Sequence, residues 1–468
     1  MESATSWKRI CYLLVGLSVV QFIFLLNGWS HATEAPALST ACDVLTERFR
    51  DIAKQTGHHT EEPLSPEASK SETNQKSLLA WNELPKGQDG EILDNLSDAQ
   101  CDFAFPDLYH EIDRSTKYWR DRKHTISRED TSITWKDFGG DRKNREWGGI
   151  FRVLIHDNQI RILEGIGVFD NVWYQSRAKQ TLYLLHRALE SATAAGEVLP
   201  TVEIALTMGD KTVMPTENGT DTVWTFNRLM TDDAQQRHWL IPNFDMWGAG
   251  NQSYRDSKML AKQHDAPFKS KIPKLVWRGA AWVNMPIRGK LMEVANTHEW
   301  SDVRKLDGGH DDLYMTREDL CKYAMTVHTE GVSYSGRMKW LTDCNSLIFF
   351  HEREYDMYYY HLLQPSGPNQ NYVAVKRDWS DLVEKVEFYL AHPDEADRII
   401  ANNLATFRDR YLTRAAVSCF TRKLINEYSK VSFKPEVQRP ASDPHRVLRG
   451  IPYEAFMMNP SDIGDKNS

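Results

Sequence analysis

Cysteine is scarce in this chain. There are six in 468 residues, and none shows Cys-x-x-Cys spacing, which leaves no zinc ribbon and no thioredoxin-type redox pair. No Walker, Gly-x-Ser-x-Gly or His-Glu-x-x-His pattern occurs either, so P-loop, lipase-type and zincin chemistries are excluded. Strict Asp-x-Asp, a common Mn²⁺-holding signature, is missing too. The nearest runs, Asp232-Asp233 and His310-Asp311-Asp312, sit in polar stretches that read as solvated loops, and no metal site is expected. Nor is there an excess of positive charge: 57 Lys and Arg against 65 Asp and Glu give a net charge of −8. That balance speaks against a nucleic-acid partner, which requires phosphate-neutralising basic surface. What the chain does have is the composition of a globular protein, 41% hydrophobic and 26% charged, with 15 Trp and 18 Tyr.

The one long hydrophobic run is Ile10–Trp29, which carries no charged residue. About 20 apolar residues span a bilayer core as a helix. Lys8 and Arg9 precede the run and Glu34 and Asp43 follow it, so the positive-inside tendency leaves the first nine residues cytosolic and sends the rest into the lumen. The length favours an uncleaved signal-anchor over a cleaved signal peptide. The organisation expected is a cytosolic tail (1–9), an anchor (10–29), a partly disordered stem (30–107), two globular lobes (108–265 and 266–435) and a polar, loosely held tail (436–468). The sequons at Asn95, Asn218 and Asn251 fit a secretory compartment.

The alternation of elements points to an α/β protein. Ile150–Ile155 and Ile160–Leu163 read as a hairpin about Asp157-Asn158, Arg177–Ser191 as an amphipathic helix and Thr201–Leu206 as a buried strand. Further on, strands are expected at Lys274–Trp277, Tyr323–His328, Ser346–Phe350 and Tyr372–Val375, with helices at Asp356–Leu363, Ser380–Leu390 and Pro393–Tyr411. Strands alternating with helices imply parallel βα units, and two such lobes suggest two Rossmann-like domains facing a cleft.

Two places carry the chemistry. Gly331-Val332-Ser333-Tyr334-Ser335-Gly336-Arg337 lies between a strand and a helix. Small residues let backbone approach a phosphate, and an arginine in the first helical turn adds a forked donor. The pattern fits a diphosphate cradle, or equally a tight turn whose arginine pairs with a neighbouring carboxylate. Arg288 is positioned to join such a cradle from another loop, whereas Arg278, close to its strand, reads as structural. Asp210, after Gly209 at the end of the Thr201–Leu206 strand, is the candidate general base.

From Trp277 to Tyr428 the order of landmarks resembles glycosyltransferase family 90, the family of the capsule-associated xylosyltransferases and the Rumi-type protein O-glucosyltransferases. The landmarks are Trp277-Arg278-Gly279 with Arg288, Cys321-Lys322-Tyr323, Gly331–Arg337, Cys344, Asn345-Ser346-Leu347, Asp378, Asp381-Leu382 and Ala401–Phe407. The resemblance implies a GT-B fold, a UDP-sugar donor of xylose or glucose, no cofactor, inversion at the anomeric carbon and a glycan or glycoprotein acceptor. It implies that Asp210 removes the acceptor proton and that Ala280, Arg288 and Val332–Arg337 contact the nucleotide sugar. It also implies a Cys321–Cys344 disulfide, with Cys419 bridging to Cys42 or Cys101. The sequence departs from the Rumi type at Lys211-Thr212, where those relatives carry Trp-Pro, and at Ala280, where they carry serine. A catalytically inactive sugar-binding protein on the same scaffold is therefore the alternative. With a membrane anchor and no KDEL-type ending, a Golgi or endoplasmic reticulum membrane location is expected.

Overall fold

The computed structural model describes residues 95–132, 149–168, 172–212, 221–246, 248–249, 252–306, 313–439 and 448–458. The anchor at 10–29, most of the stem, Asn218 and Asn251 lie outside them. Among the described residues no helix is long and apolar enough to cross a membrane.

Five strands form a wholly parallel sheet in the order Ser301–Lys305, Ile272–Gly279, Tyr323–His328, Leu347–His351, Val373–Val375. Its central strands are near-continuous apolar runs because both faces are covered. Leu275, Trp277, Met325, Val327, Leu347 and Phe349 pack with Leu291, Leu382, Val386, Ile399 and Ile400 from the flanking helices. The edge strand Ser301–Lys305 has only Val303 buried, too weak a hydrophobic signal to be expected from sequence. The order also fixes a switch point. From Ile272–Gly279 the chain crosses to one side, to Ser301–Lys305, and returns on the other as Tyr323–His328. The loops leaving these two neighbouring strands therefore diverge and open a crevice between them.

The second sheet is mixed. Ile150–His156 pairs antiparallel with both Gln159–Ile166 and Val202–Thr207, and the short strands Trp224–Thr225 and Trp239–Leu240 continue it in parallel. The hairpin turns at Asp157 and Asn158 with φ of 51° and 55°, the doubly left-handed geometry that two-residue hairpins favour. Parallel βα units throughout are thus not what the first lobe contains, because a hairpin this short allows only antiparallel pairing. The helix Val172–Ala194 packs on this sheet and begins five residues earlier than its periodicity suggests.

Three further expectations are corrected. Asp98–Ala104, assigned to the stem, is a helix with a Ser97/Gln100 capping box and a buried Cys101, and His110–Asp121 follows it. The helix expected over Asp356–Leu363 is instead a short strand, Tyr355–Asp356, and a 3₁₀ turn, Tyr360–Leu362. Tyr358, Tyr359 and Tyr360 are all buried there, and three consecutive buried rings leave a helix no solvent face. Finally, the tail is partly built in. Ile451–Pro452 adds a strand beside Gln159–Ile166, and the helix Tyr453–Met458 buries Tyr453 and Phe456. Arg161 donates to the carbonyls of Arg449 (2.7 Å) and Gly450 (2.8 Å).

Among the described residues there are two disulfides, Cys321–Cys344 and Cys101–Cys419, so Cys101 and not Cys42 is the partner of Cys419. They separate residues 23 and 318 apart in sequence. In the chain-entropy account the longer loop restricts the unfolded chain more, by about 2 kcal/mol. Denaturant unfolding of Cys101→Ala/Cys419→Ala should therefore show the greater loss of stability, and equal losses from the two pairs would refute this ranking.

Candidate active site

The parallel sheet delivers its chemistry at the strand C-termini. The strand Ile272–Gly279 runs into a 3₁₀ turn, Ala281–Asn284, and a single π-helical turn, Met285–Gly289, which carries Arg288. Tyr323–His328 runs into Thr329–Gly336 and the short helix Arg337–Leu341. The two loops are stitched together. Asn284 Nδ2 donates to the Gly331 carbonyl (2.9 Å) and Trp277 Nε1 to Thr329 Oγ1 (3.2 Å).

Between them lie two guanidinium groups. Arg288 Cζ is 5.8 Å and Arg337 Cζ 5.7 Å from the centroid of the Trp277 ring. Arg288, buried, donates through Nε to the Glu330 carbonyl (3.0 Å) and through Nη1 to the Ala280 carbonyl (2.9 Å). Neither arginine has a carboxylate partner among the described residues. Burial pushes Arg288 down to about 10, and burial followed by the charge of Arg288 does the same to Arg337. Two cations are thus held in one low-dielectric crevice with no neutralising carboxylate among the described residues, an environment that favours a bound anion. Of the two readings of the loop, the arginine paired to a carboxylate finds no such pair among the described residues. Arg278 has the structural role expected, with Nη2 shared between the two oxygens of Asp302 at 3.0 Å each.

Asp210 comes from the other sheet. Its Oδ1 accepts from Arg177 Nη1 at 2.8 Å, and the same nitrogen donates to the Met208 carbonyl at 3.0 Å. Oδ2 has no hydrogen-bond partner among the described residues, and the side chain is 41% exposed. A carboxylate with one oxygen pinned and the other open is what a directed base requires. The backbone is also fixed. Asn227 Nδ2 donates to the Asp210 carbonyl (2.8 Å), and so does Ser333 Oγ from the other sheet's loop. The structure therefore brings Asp210 and Ser333 into direct contact.

The remaining predicted residues sort by contact. Ala280 supplies its carbonyl to Arg288. Ser335 Oγ accepts from the Arg337 N–H at 3.4 Å, while Val332 is half-buried and makes no polar contact with its side chain. Tyr334 is buried against Phe226, and burial, then the Asp210 carboxylate, holds its phenol well above the ordinary value. Gly336 packs so closely on the Asp245 carboxylate and Asn243 that a Cβ there would force those side chains to shift. Asn95 is exposed in a turn, and its sequon serine, Ser97, caps the first helix. Thr212, at the departure from the Rumi pattern, is buried and bonded to Thr225 Oγ1.

Arg177 and Asn227 escaped the sequence reading. Arg177 lies on a helix legible only by its apolar stripe, and its partner is 33 residues away. A polar cleft of about 660 Å³, lined by Asp107, His110, His361, Asn371 and Arg410, contains none of the residues above.

The model of Glycosyl transferase family 90 matches residues 167–445, a stretch that contains Arg177, Asp210, Arg288 and Arg337. Protein O-glucosyltransferase 1 of Rattus norvegicus is 35% identical over 112 residues, 24% of this chain and 28% of that protein. O-glucosyltransferase LpsA of Dichelobacter nodosus is 29% identical over 141 residues, 29% of this chain and 43% of that protein. The O-glucosyltransferase rumi homolog of Aedes aegypti is 35% identical over 124 residues, 26% of this chain and 30% of that protein. The chain thus aligns with less than half the length of each of these relatives.

Proposed function

The chain belongs to glycosyltransferase family 90, and from that premise we propose that it moves glucose or xylose from a UDP-sugar to a hydroxyl of a glycan or glycoprotein acceptor. The observation that carries the donor reading is the pair of arginines over Trp277, which have no carboxylate partner among the described residues. In the reaction, the open oxygen of Asp210 takes the acceptor proton as that hydroxyl attacks the anomeric carbon, which inverts its configuration. The bond to the UDP oxygen breaks as the new bond forms. Arg288 and Arg337 meet the charge that builds on the departing diphosphate, the work that a divalent cation performs in other designs. Ser333 supports this division of labour, since one loop touches both the base's backbone and the donor cations.

The two sheets facing one crevice are consistent with a GT-B arrangement. The two disulfides support a secretory-pathway location. The apolar run at 10–29 supports a single-pass type II membrane anchor in the Golgi or endoplasmic reticulum. The test is a panel: the purified lumenal part is incubated with UDP-glucose, UDP-xylose, UDP-galactose and UDP-N-acetylglucosamine, and UDP release is scored. Release with UDP-glucose or UDP-xylose is expected. Tight UDP binding without release from any donor would favour an inactive sugar-binding protein.

A further inference from the structure

The turn after the last parallel strand, residues 376–380, has no part in the reaction as derived, yet it is built under constraint. Trp379 is completely buried and has φ of 63°, a left-handed conformation that is strained for a bulky residue. The surroundings hold it there. The Trp379 N–H donates to the Lys376 carbonyl (2.9 Å), and the Lys376 N–H donates to Asp381 Oδ1 (2.8 Å). What the conformation achieves is aim. Trp379 Nε1 donates to the Ile287 carbonyl at 2.9 Å, inside the π-helical turn and one residue before Arg288. A π-helical turn has its own hydrogen-bond register disturbed and needs such outside support.

The same turn reaches Arg288 by a second route. Arg377 Nη1 donates to Glu330 Oε2 (2.8 Å) and to the Glu352 carbonyl (2.8 Å). Glu330 Oε1 accepts from the N–H groups of Glu354 and Tyr355, both at 2.9 Å. The Glu330 N–H donates to His351 Nε2 (3.0 Å), and the His351 ring packs edge-on against Trp379 at 5.3 Å. Glu330 is thereby fixed on three sides, and its carbonyl is the acceptor that orients Arg288 Nε. Both the backbone before Arg288 and the acceptor of its side chain trace back to one turn.

We propose that this turn is a positioning device for the donor site: Trp379 and Arg377 set the direction in which Arg288 offers its remaining N–H groups to the diphosphate. The inference rests on the donor reading above. Removing one neutral or charge-assisted hydrogen bond from such a chain should weaken UDP binding about fivefold.

The test is UDP titration by calorimetry on the purified full-length protein, with thermal unfolding measured in parallel. Trp379→Phe and Arg377→Gln are each expected to weaken UDP binding about fivefold, and neither is expected to weaken it further in an Arg288→Ala background. Wild-type UDP affinity in both single variants would overturn the inference, as would an equal fivefold loss persisting in the Arg288→Ala background, since a merely structural role does not depend on Arg288. Arg377 is 27% exposed, so Arg377→Gln decides the matter if Trp379→Phe does not fold. Undiminished UDP affinity in Arg288→Ala alone would remove the donor reading, and this inference with it. A loss there without a loss in the two turn variants removes only the inference.

Discussion

Asp210→Asn should slow sugar transfer about a thousandfold while leaving UDP affinity unchanged. The substitution is isosteric, and Arg177 Nη1 still finds an acceptor at the place of Oδ1, where it now sits at 2.8 Å. The carbonyl of residue 210 keeps its bonds to Asn227 and Ser333, so the strand end and the donor loop stay in register. What disappears is the ability of the open oxygen to take a proton. A positioned general base contributes roughly 10²–10⁴-fold to rate, so kcat should fall by about three orders of magnitude. Turnover within tenfold of the native enzyme would assign the proton to another group.

Methionine at position 337 should have two effects of opposite sign. Arg337 keeps its charge in the folded protein against burial and against Arg288, which draw its value down to about 10. A base whose folded value lies below its unfolded one costs stability wherever it is charged in both states, that is, at every pH below about 10. Without a bound anion the arginine is therefore a burden. Arg337→Met keeps the stem over Trp277 and removes the charge, a type of exchange that commonly stabilises. The unliganded protein should gain about 1 kcal/mol, or about 2 °C in the midpoint of thermal unfolding. UDP affinity should fall about a hundredfold, the usual consequence of deleting one partner of a desolvated charge pair. A lower unfolding midpoint together with unchanged affinity would show that Arg337 is structural.

Much of this was legible in the sequence, and the parts that were not share a cause. Val202–Thr207, Tyr323–His328 and Leu347–His351 announce themselves because strands buried on both faces are apolar over most of their length. The loop Gly331–Arg337 was visible for a related reason, since only small residues let a backbone turn so tightly beside charged groups. Asp210 could be singled out as a strand-end carboxylate. Arg177 could not, because a cation's partner is chosen by packing across the fold and not by spacing along the chain. The same holds for Trp379, whose importance lies in a dihedral angle and a carbonyl 92 residues away. The helix expected at Asp356–Leu363 does not form because Tyr358, Tyr359 and Tyr360 are all buried, which periodicity along the chain does not reveal.

The strand Ile451–Pro452 has a consequence for how the protein is handled. Without it, Gln159–Ile166 would be the sheet's outermost strand, presenting open N–H and C=O groups to any neighbouring chain. The cover fits closely: Gly450 has φ of 77°, and a Cβ there would lie 2.7 Å from the Ile162 carbonyl oxygen, so only glycine lets the returning chain approach. Residues 450–456 therefore act as a guard against edge-to-edge aggregation, and a shortened version ending near residue 435 would give up that guard along with the hydrophobic contacts of Tyr453 and Phe456.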